Sequence, residues 1–203
     1  MSDTPLSSTD LGELGAGELL GLYARKAASP VEATEAALDR IRRFDGAVNA
    51  YVLVDEDSAR ADAKASEARW MAGRPIGPVD GVPSSIKDLT FTRGWPTRKG
   101  SKTIAADGPW EVDAPFTAFM RGAGAVLLGK TTTPEFGWKG VTDSALTGIT
   151  RNPWNVNTTA GGSSGGAGAA AALNMGVLHQ GSDAGGSIRI PCGFTGTAGI
   201  KPT

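Results

Sequence analysis

Two serine–glycine clusters and one lysine carry the chemistry this sequence offers. Gly161-Gly162-Ser163-Ser164-Gly165-Gly166 and Ser182-Asp183-Ala184-Gly185-Gly186-Ser187-Ile188-Arg189 each set serines among glycines, where backbone N–H groups can converge. In the second cluster the consecutive N–H groups of Ala184, Gly185, Gly186 and Ser187 form a candidate oxyanion nest around a developing alkoxide. A serine hydroxyl is a poor nucleophile without a base. A lysine serves as that base only when it is neutral, a state that burial and nearby dipoles favour. Lys87 lies in Ser84-Ser85-Ile86-Lys87-Asp88-Leu89, which reads as the end of a buried strand. Residue type alone leaves Lys87 open between a buried base and a solvated lysine paired with Asp88.

Other short patterns fail on context. Gly161-Gly162-Ser163-Ser164-Gly165 fits the G-x-S-x-G elbow, but that elbow needs a buried strand before it and a later acid and histidine. The one histidine is His179, and no acid lies between Ser163 and it. Gly124 to Thr131 has the spacing of a phosphate-binding loop, yet its interior Ala-Val-Leu-Leu is an apolar strand, and Thr133-Pro134 stands where the helix should run. Gly166-Ala167-Gly168 through Ala171 resembles a dinucleotide fingerprint, but a polar loop precedes it rather than a strand. Ser84-x-x-Lys87 lacks the companion motifs of penicillin-recognising enzymes.

The elements that must hold these residues are legible in outline. Leu11, Leu14, Leu19, Leu20 and Tyr23 recur at helical spacing. Ser29-Pro30-Val31-Glu32 supplies an N-cap, a first-turn proline and a capping box for a helix that runs through Phe44 and stops at Gly46. Ala50 to Val54 predicts a strand, and Asp57 to Met71 a third helix ended by Gly73. Beyond Gly77 come short apolar runs at 81–83, 125–128 and 176–178, with a helix at Pro115 to Arg121 between them. Helices alternating with short buried strands predict an α/β fold: a mixed sheet flanked by helices (α/β/α), entered through an N-terminal helical segment. We expect one domain over residues 1–203, with N-terminal helices at 1–50 and the catalytic core at 51–203.

Composition supports a folded core. Of 203 residues, 40% are apolar and 20% charged, and the formal net charge is −1. That balance gives no electrostatic reason to expect nucleic acid or an anionic membrane as partner. The polar start lacks a signal-peptide core, no run approaches a membrane span, and a single cysteine, Cys192, excludes an internal disulfide. A cytoplasmic location, no metal and no cofactor are the expectations.

Together these segments resemble the amidase signature family. The resemblance rests on Gly161 to Gly166, on Asp183 to Pro191, on Gly199-Ile200-Lys201-Pro202-Thr203, on Gly81-Val82-Pro83 with Ile86-Lys87-Asp88, and on Leu128-Gly129-Lys130-Thr131 with Pro134-Glu135-Phe136. It implies a Ser–cis-Ser–Lys triad. Ser187 would attack an amide carbonyl, and Ser163, after a cis peptide, would relay the proton to Lys87. Ser164 would support the relay, while Asp183 and Arg189 would brace the loop. Two departures stand out: Ser182-Asp183 where the family commonly has Thr-Asp, and His179-Gln180 where small apolar residues are usual. Family members are typically more than twice as long, so the C-terminal half of the fold is expected to be absent. The resemblance implies hydrolysis of a small-molecule carboxamide. Its alternatives are the glutaminase subunit of a tRNA-dependent amidotransferase, with partner subunits, or a truncated, inactive fragment or binding module. Exposed sheet edge would favour a homodimer or other self-association.

Overall fold

The computed structural model describes residues 11–202. Helix α1 (Ala16–Ala24) packs on α2 (Pro30–Val48) through Leu19, Tyr23, Ala33 and Ala36. The start of α2 is the capping box its sequence spells. Ser29 Oγ accepts from Glu32 N–H at 3.2 Å, and Ser29 N–H donates to the Glu32 carboxylate at 2.8 Å. Such a cap contributes about 1 kcal/mol. The helix passes through Gly46 and stops two residues after it, at Val48. Asn49 takes the left-handed cap (φ 56°), and its side-chain amide donates to the Thr147 carbonyl at 2.7 Å. A long-range contact thus overrides the glycine as stop signal. Strand β1 (Tyr51–Val54) and α3 (Glu56–Met71) follow, with Asp55 Oδ1 capping α3 by accepting from Ser58 N–H at 3.0 Å.

Then come β2 (Pro83–Lys87), α4 (Pro115–Gly122) and β3 (Val126–Thr131). Two small hairpins follow, β4 (Asp143–Ser144) with β5 (Gly148–Ile149), and β6 (Arg151–Asn152) with β7 (Asn155–Thr159). Helix α5 (Gly165–Ala172), strand β8 (Leu178–His179) and helix α6 (Arg189–Thr195) complete the described chain. The main sheet is mixed, in the order β1-β3-β2-β8; β1 runs antiparallel to β3, while β3, β2 and β8 are parallel.

Alternation along the strands divides the core between two faces. Val126 and Leu128 join Leu38, Ile41, Ala169, Ala170 and Met175, the cluster built by α2, α3 and α5. Leu127 joins Ile86, Trp95 and Met120 under α4. Helices therefore cover both faces, the α/β/α arrangement predicted. The predicted strands shift at their edges. The run at 81–83 only leads into β2. The run at 125–128 continues through Lys130 to Thr131, and that at 176–178 shortens to Leu178–His179. Polar residues inside buried strands hid their true length.

Candidate active site

Ile86 and Lys87 are adjacent on β2, so they face opposite sides of the sheet. Ile86 enters the α4-side cluster. Lys87 points the other way, to the Ser163-Ser164 turn that begins α5. The lysine is fully buried, with 0% exposure. Its Nζ lies 2.7 Å from Ser163 Oγ, 2.9 Å from Ser164 Oγ and 3.0 Å from Ser182 Oγ. Burial pushes its pKa down to about 7, against the opposing pull of the Asp183 carboxylate. The positive end of α5 adjoins the same nitrogen and also disfavours an ammonium. Of the two readings its residue type left open, the solvated surface lysine is excluded. Asp88 pairs elsewhere, with the equally buried Lys130 at 3.2 Å.

The two serines of the first cluster differ. Ser164 Oγ donates to the Ser182 carbonyl at 3.3 Å and accepts from Ser182 N–H at 3.3 Å, so its proton is committed. Ser163 Oγ, among the described residues, hydrogen-bonds Lys87 Nζ alone. The peptide between Gly162 and Ser163 is cis. Gly162 allows a close approach there: a Cβ would meet the Val141 backbone at 2.6 Å.

Ser187 comes beside this pair through its main chain, its carbonyl accepting from Ser164 N–H at 3.1 Å. Its half-buried hydroxyl makes no hydrogen bond among the described residues, so Ser163 and Ser187 are not directly bonded in this structure. The Asp183 side chain, 0% exposed, organises the loop. It accepts from the N–H groups of Gly186 (2.6 Å), Ile188 (3.1 Å) and Arg189 (3.2 Å), and from the Arg189 guanidinium at 2.9 Å. Arg189 first, then these N–H groups, hold its carboxyl well below the usual range. The expected nest of four amides is thereby reduced. Gly186 N–H turns to Asp183, and Ala184, Gly185 and Ser187 keep N–H groups without a partner among the described residues.

His179 hydrogen-bonds none of Lys87, Ser163, Ser164 or Ser187 among the described residues. Its Nδ1 pairs with Ser85 Oγ at 2.8 Å, its Nε2 is buried without a partner among the described residues, and burial pushes its pKa down to about 4. Three residues escaped sequence reasoning. Ser182 is the third hydroxyl on Lys87, signalled only by its place next to Asp183. Gln180 Oε1 accepts from the Lys87 N–H at 3.0 Å. Lys130 is a second buried lysine, its pKa pushed down to about 8 by burial against the opposing effect of Asp88. Of the aromatic residues near the motifs, Trp95 is core (5% exposed), while Trp138 (90%) and Trp154 (75%) are on the surface.

Comparison with known proteins agrees with this architecture. Residues 32–203 match the family described as Amidase. A subunit of the glutamyl-tRNA(Gln) amidotransferase of Salinispora arenicola is 46% identical over 195 residues, 96% of this chain and 40% of that protein. An acylamidase of Rhodococcus erythropolis is 42% identical over 98% of this chain and 41% of its own length. The chain thus spans about 40% of the length of the curated relatives it matches. Among solved structures, a bacterial aryl acylamidase of the amidase signature family superposes with a TM-score of 0.84 at 39% identity, covering 88% of this chain and 37% of that one. A fatty acid amide hydrolase superposes with a TM-score of 0.87 at 27% identity, over 94% of this chain and 34% of the other. With the buried lysine, the paired serines and the glycine loop already in place, a match over 32–203 leaves one conclusion: the chain belongs to the amidase family.

Proposed function

We propose that this chain carries the acylation machinery of an amidase that cleaves a carboxamide of a small molecule. The observation that carries the reading is the 2.7 Å contact between Ser163 Oγ and a fully buried Lys87. A neutral lysine offers two N–H donors and one lone pair. Ser164, its proton committed to the Ser182 carbonyl, accepts one N–H, and Ser182 Oγ accepts the other. The lone pair is then free to accept the Ser163 proton. As Ser187 Oγ attacks the carbonyl carbon, its proton passes to Ser163 and the Ser163 proton to Lys87. The oxyanion forms against the N–H groups of Ala184, Gly185 and Ser187. Collapse breaks the C–N bond, and the proton returns through Ser163 to the departing nitrogen. Water then cleaves the Ser187 ester by the reverse relay. Asp183 and Arg189 shape the loop and take no proton. The scheme calls for no metal or cofactor.

The turn at Glu135–Gly137 flanks the site, since a Cβ on Gly137 would lie 3.3 Å from Ser163 Oγ. Phe136 within it and Trp138 just after it, both exposed, are suited to an apolar or aryl substrate. A second reading is favoured by the 46% identity to a subunit of an amidotransferase: glutamine hydrolysis, with the ammonia passed to partner subunits. Nothing in the charge balance calls for direct contact with nucleic acid or membrane, and we take the site of action to be the cytoplasm. We treat residues 1–203 as one domain unit.

The test is acylation by a fluorophosphonate probe, with the adduct mapped by peptide mass spectrometry, followed by turnover of an anilide and of glutamine. Label on Ser187, lost in Ser187→Ala and severely slowed in Lys87→Met, is expected. Label on another serine, or labelling indifferent to Lys87, would sink the proposal. Glutamine turnover appearing only with amidotransferase partner subunits selects the second reading.

A further inference from the structure

Gln180 stands where no catalytic role calls for it, yet its side chain grips Lys87. Strand β8 pairs with β2 at Ser84–Leu178 and Ser85–His179, and there it ends. Lys87 lies two residues beyond the last rung. On its other side it is still paired, with Thr131 of β3. Its N–H, in a buried strand, has lost the neighbour that would accept it. Gln180 Oε1 takes that place at 3.0 Å. The same oxygen accepts from Thr90 Oγ1 at 3.1 Å, and the amide nitrogen donates to the Gly181 carbonyl at 2.8 Å. Two of those contacts fix the orientation of the amide, because a flipped group would set NH2 against the Lys87 N–H and its oxygen against the Gly181 carbonyl.

The segment 180–182 therefore holds Lys87 twice. Gln180 holds the main chain, and Ser182 Oγ holds Nζ at 3.0 Å. Thr90, on the far side of Gln180, is itself fixed by Lys130, whose Nζ donates to the Thr90 carbonyl at 3.1 Å.

We propose that Gln180 is a positioning residue for the lysine base: its side-chain carbonyl replaces the missing rung of β8, fixing the Lys87 backbone so that Nζ reaches Ser163. The proposal rests on the reading of Lys87 as base. It explains why a polar residue stands at position 180, next to the loop that carries Ser187. An apolar side chain there would leave the Lys87 amide unsatisfied in a buried strand, and the amide would seek another partner by rotating the strand end.

The test compares Gln180→Met, which keeps the length of the side chain and removes the acceptor, with Gln180→Glu, which keeps an acceptor. Two readouts are needed: hydrogen exchange of the Lys87 amide by NMR, and the rate and affinity constants of fluorophosphonate labelling. In Gln180→Met the Lys87 amide is expected to exchange at least about tenfold faster, while the Leu38 and Val126 amides stay protected. The limiting labelling rate falls about ten- to hundredfold, with the affinity of the probe within about twofold. Gln180→Glu restores most of both. Unchanged exchange at Lys87 overturns the proposal, and so does exchange raised equally at Leu38 and Val126, or failure of Gln180→Glu to rescue. If the wild-type protein takes no label, the reading of Lys87 as base fails, and the Lys87 amide alone decides whether Gln180 holds that strand end.

Discussion

Burying Lys87 has a cost that depends on pH, and Lys87→Met measures it without any substrate. Unfolded, the lysine keeps a pKa near 10.5; folded, it sits at about 7. Between those values the unfolded chain holds more protons than the folded one. Stability therefore rises with pH from 7 to 10.5 and is lost as pH falls toward 7. Each pH unit inside the window is worth at most about 1.4 kcal/mol. From pH 10 down to pH 7 the lysine thus removes on the order of 3 kcal/mol. Methionine has nearly the same shape and no proton to lose. Lys130 and Asp183 are common to both proteins, so their contributions cancel in the difference.

The assay is a pair of urea melts at pH 7 and pH 10. Lys87→Met should be the more stable at pH 7 relative to wild type, with the advantage shrinking by roughly 3 kcal/mol at pH 10. Labelling of Ser187 should follow the same proton. With a pKa of about 7, half of the lysine is neutral at pH 7, about a tenth at pH 6 and about a hundredth at pH 5. A lysine at its ordinary value would be neutral in only about three molecules in ten thousand at pH 7. The acid limb should fall tenfold per pH unit below about pH 7. Parallel stability of the two proteins from pH 7 to pH 10, together with a labelling limb centred near pH 10, would refute the buried neutral lysine.

Ser187→Ala should abolish labelling and turnover, whereas Ser163→Ala should slow labelling by about 10²–10⁴ and leave a residue through a relaying water; comparison of labelling rates checks the order. His179, its pKa depressed to about 4, should cost stability as pH falls from 6.5 toward 4, and His179→Leu should flatten that limb in thermal melts while leaving acylation in place. Loss of acylation in His179→Leu would instead make the histidine the base. Gly162→Ala should lower stability by at least about 2 kcal/mol, because its Cβ meets the Val141 backbone at 2.6 Å; an unchanged melting temperature would contradict that packing. Residues 1–203 expressed alone should self-associate, since Phe194, Trp154 and Ile200 are 52%, 75% and 85% exposed; light scattering on a size-exclusion column would show a monomer if this is wrong.

Local signals and long-range ones were not equally legible in this chain. Ser29-Pro30-Val31-Glu32 starts α2 because a capping box is satisfied within four residues, and nothing distant has to cooperate. Asp55 caps α3 for the same reason, although the predicted start fell at Asp57. The end of α2 was misjudged, because Asn49 draws its advantage from the Thr147 carbonyl, 98 residues away in sequence. The site divides along the same line. Lys87, Ser163 and Ser164 were identifiable from residue type and from family resemblance, and 76 residues separate the lysine from the first serine it touches. Resemblance can encode such a contact; periodicity cannot. Gly186 shows the reverse failure. A run of glycines in sequence suggested four free amides, but a free amide is a property of what lies opposite it, and Asp183 lies opposite Gly186. Gln180 was illegible for a related reason. Its value comes from the place where β8 stops, two residues short of Lys87, and a strand end set by register is invisible until the strands are paired. A departure from a family's usual residue is then best read against the backbone group it faces: here, the N–H of the lysine that the chemistry depends on.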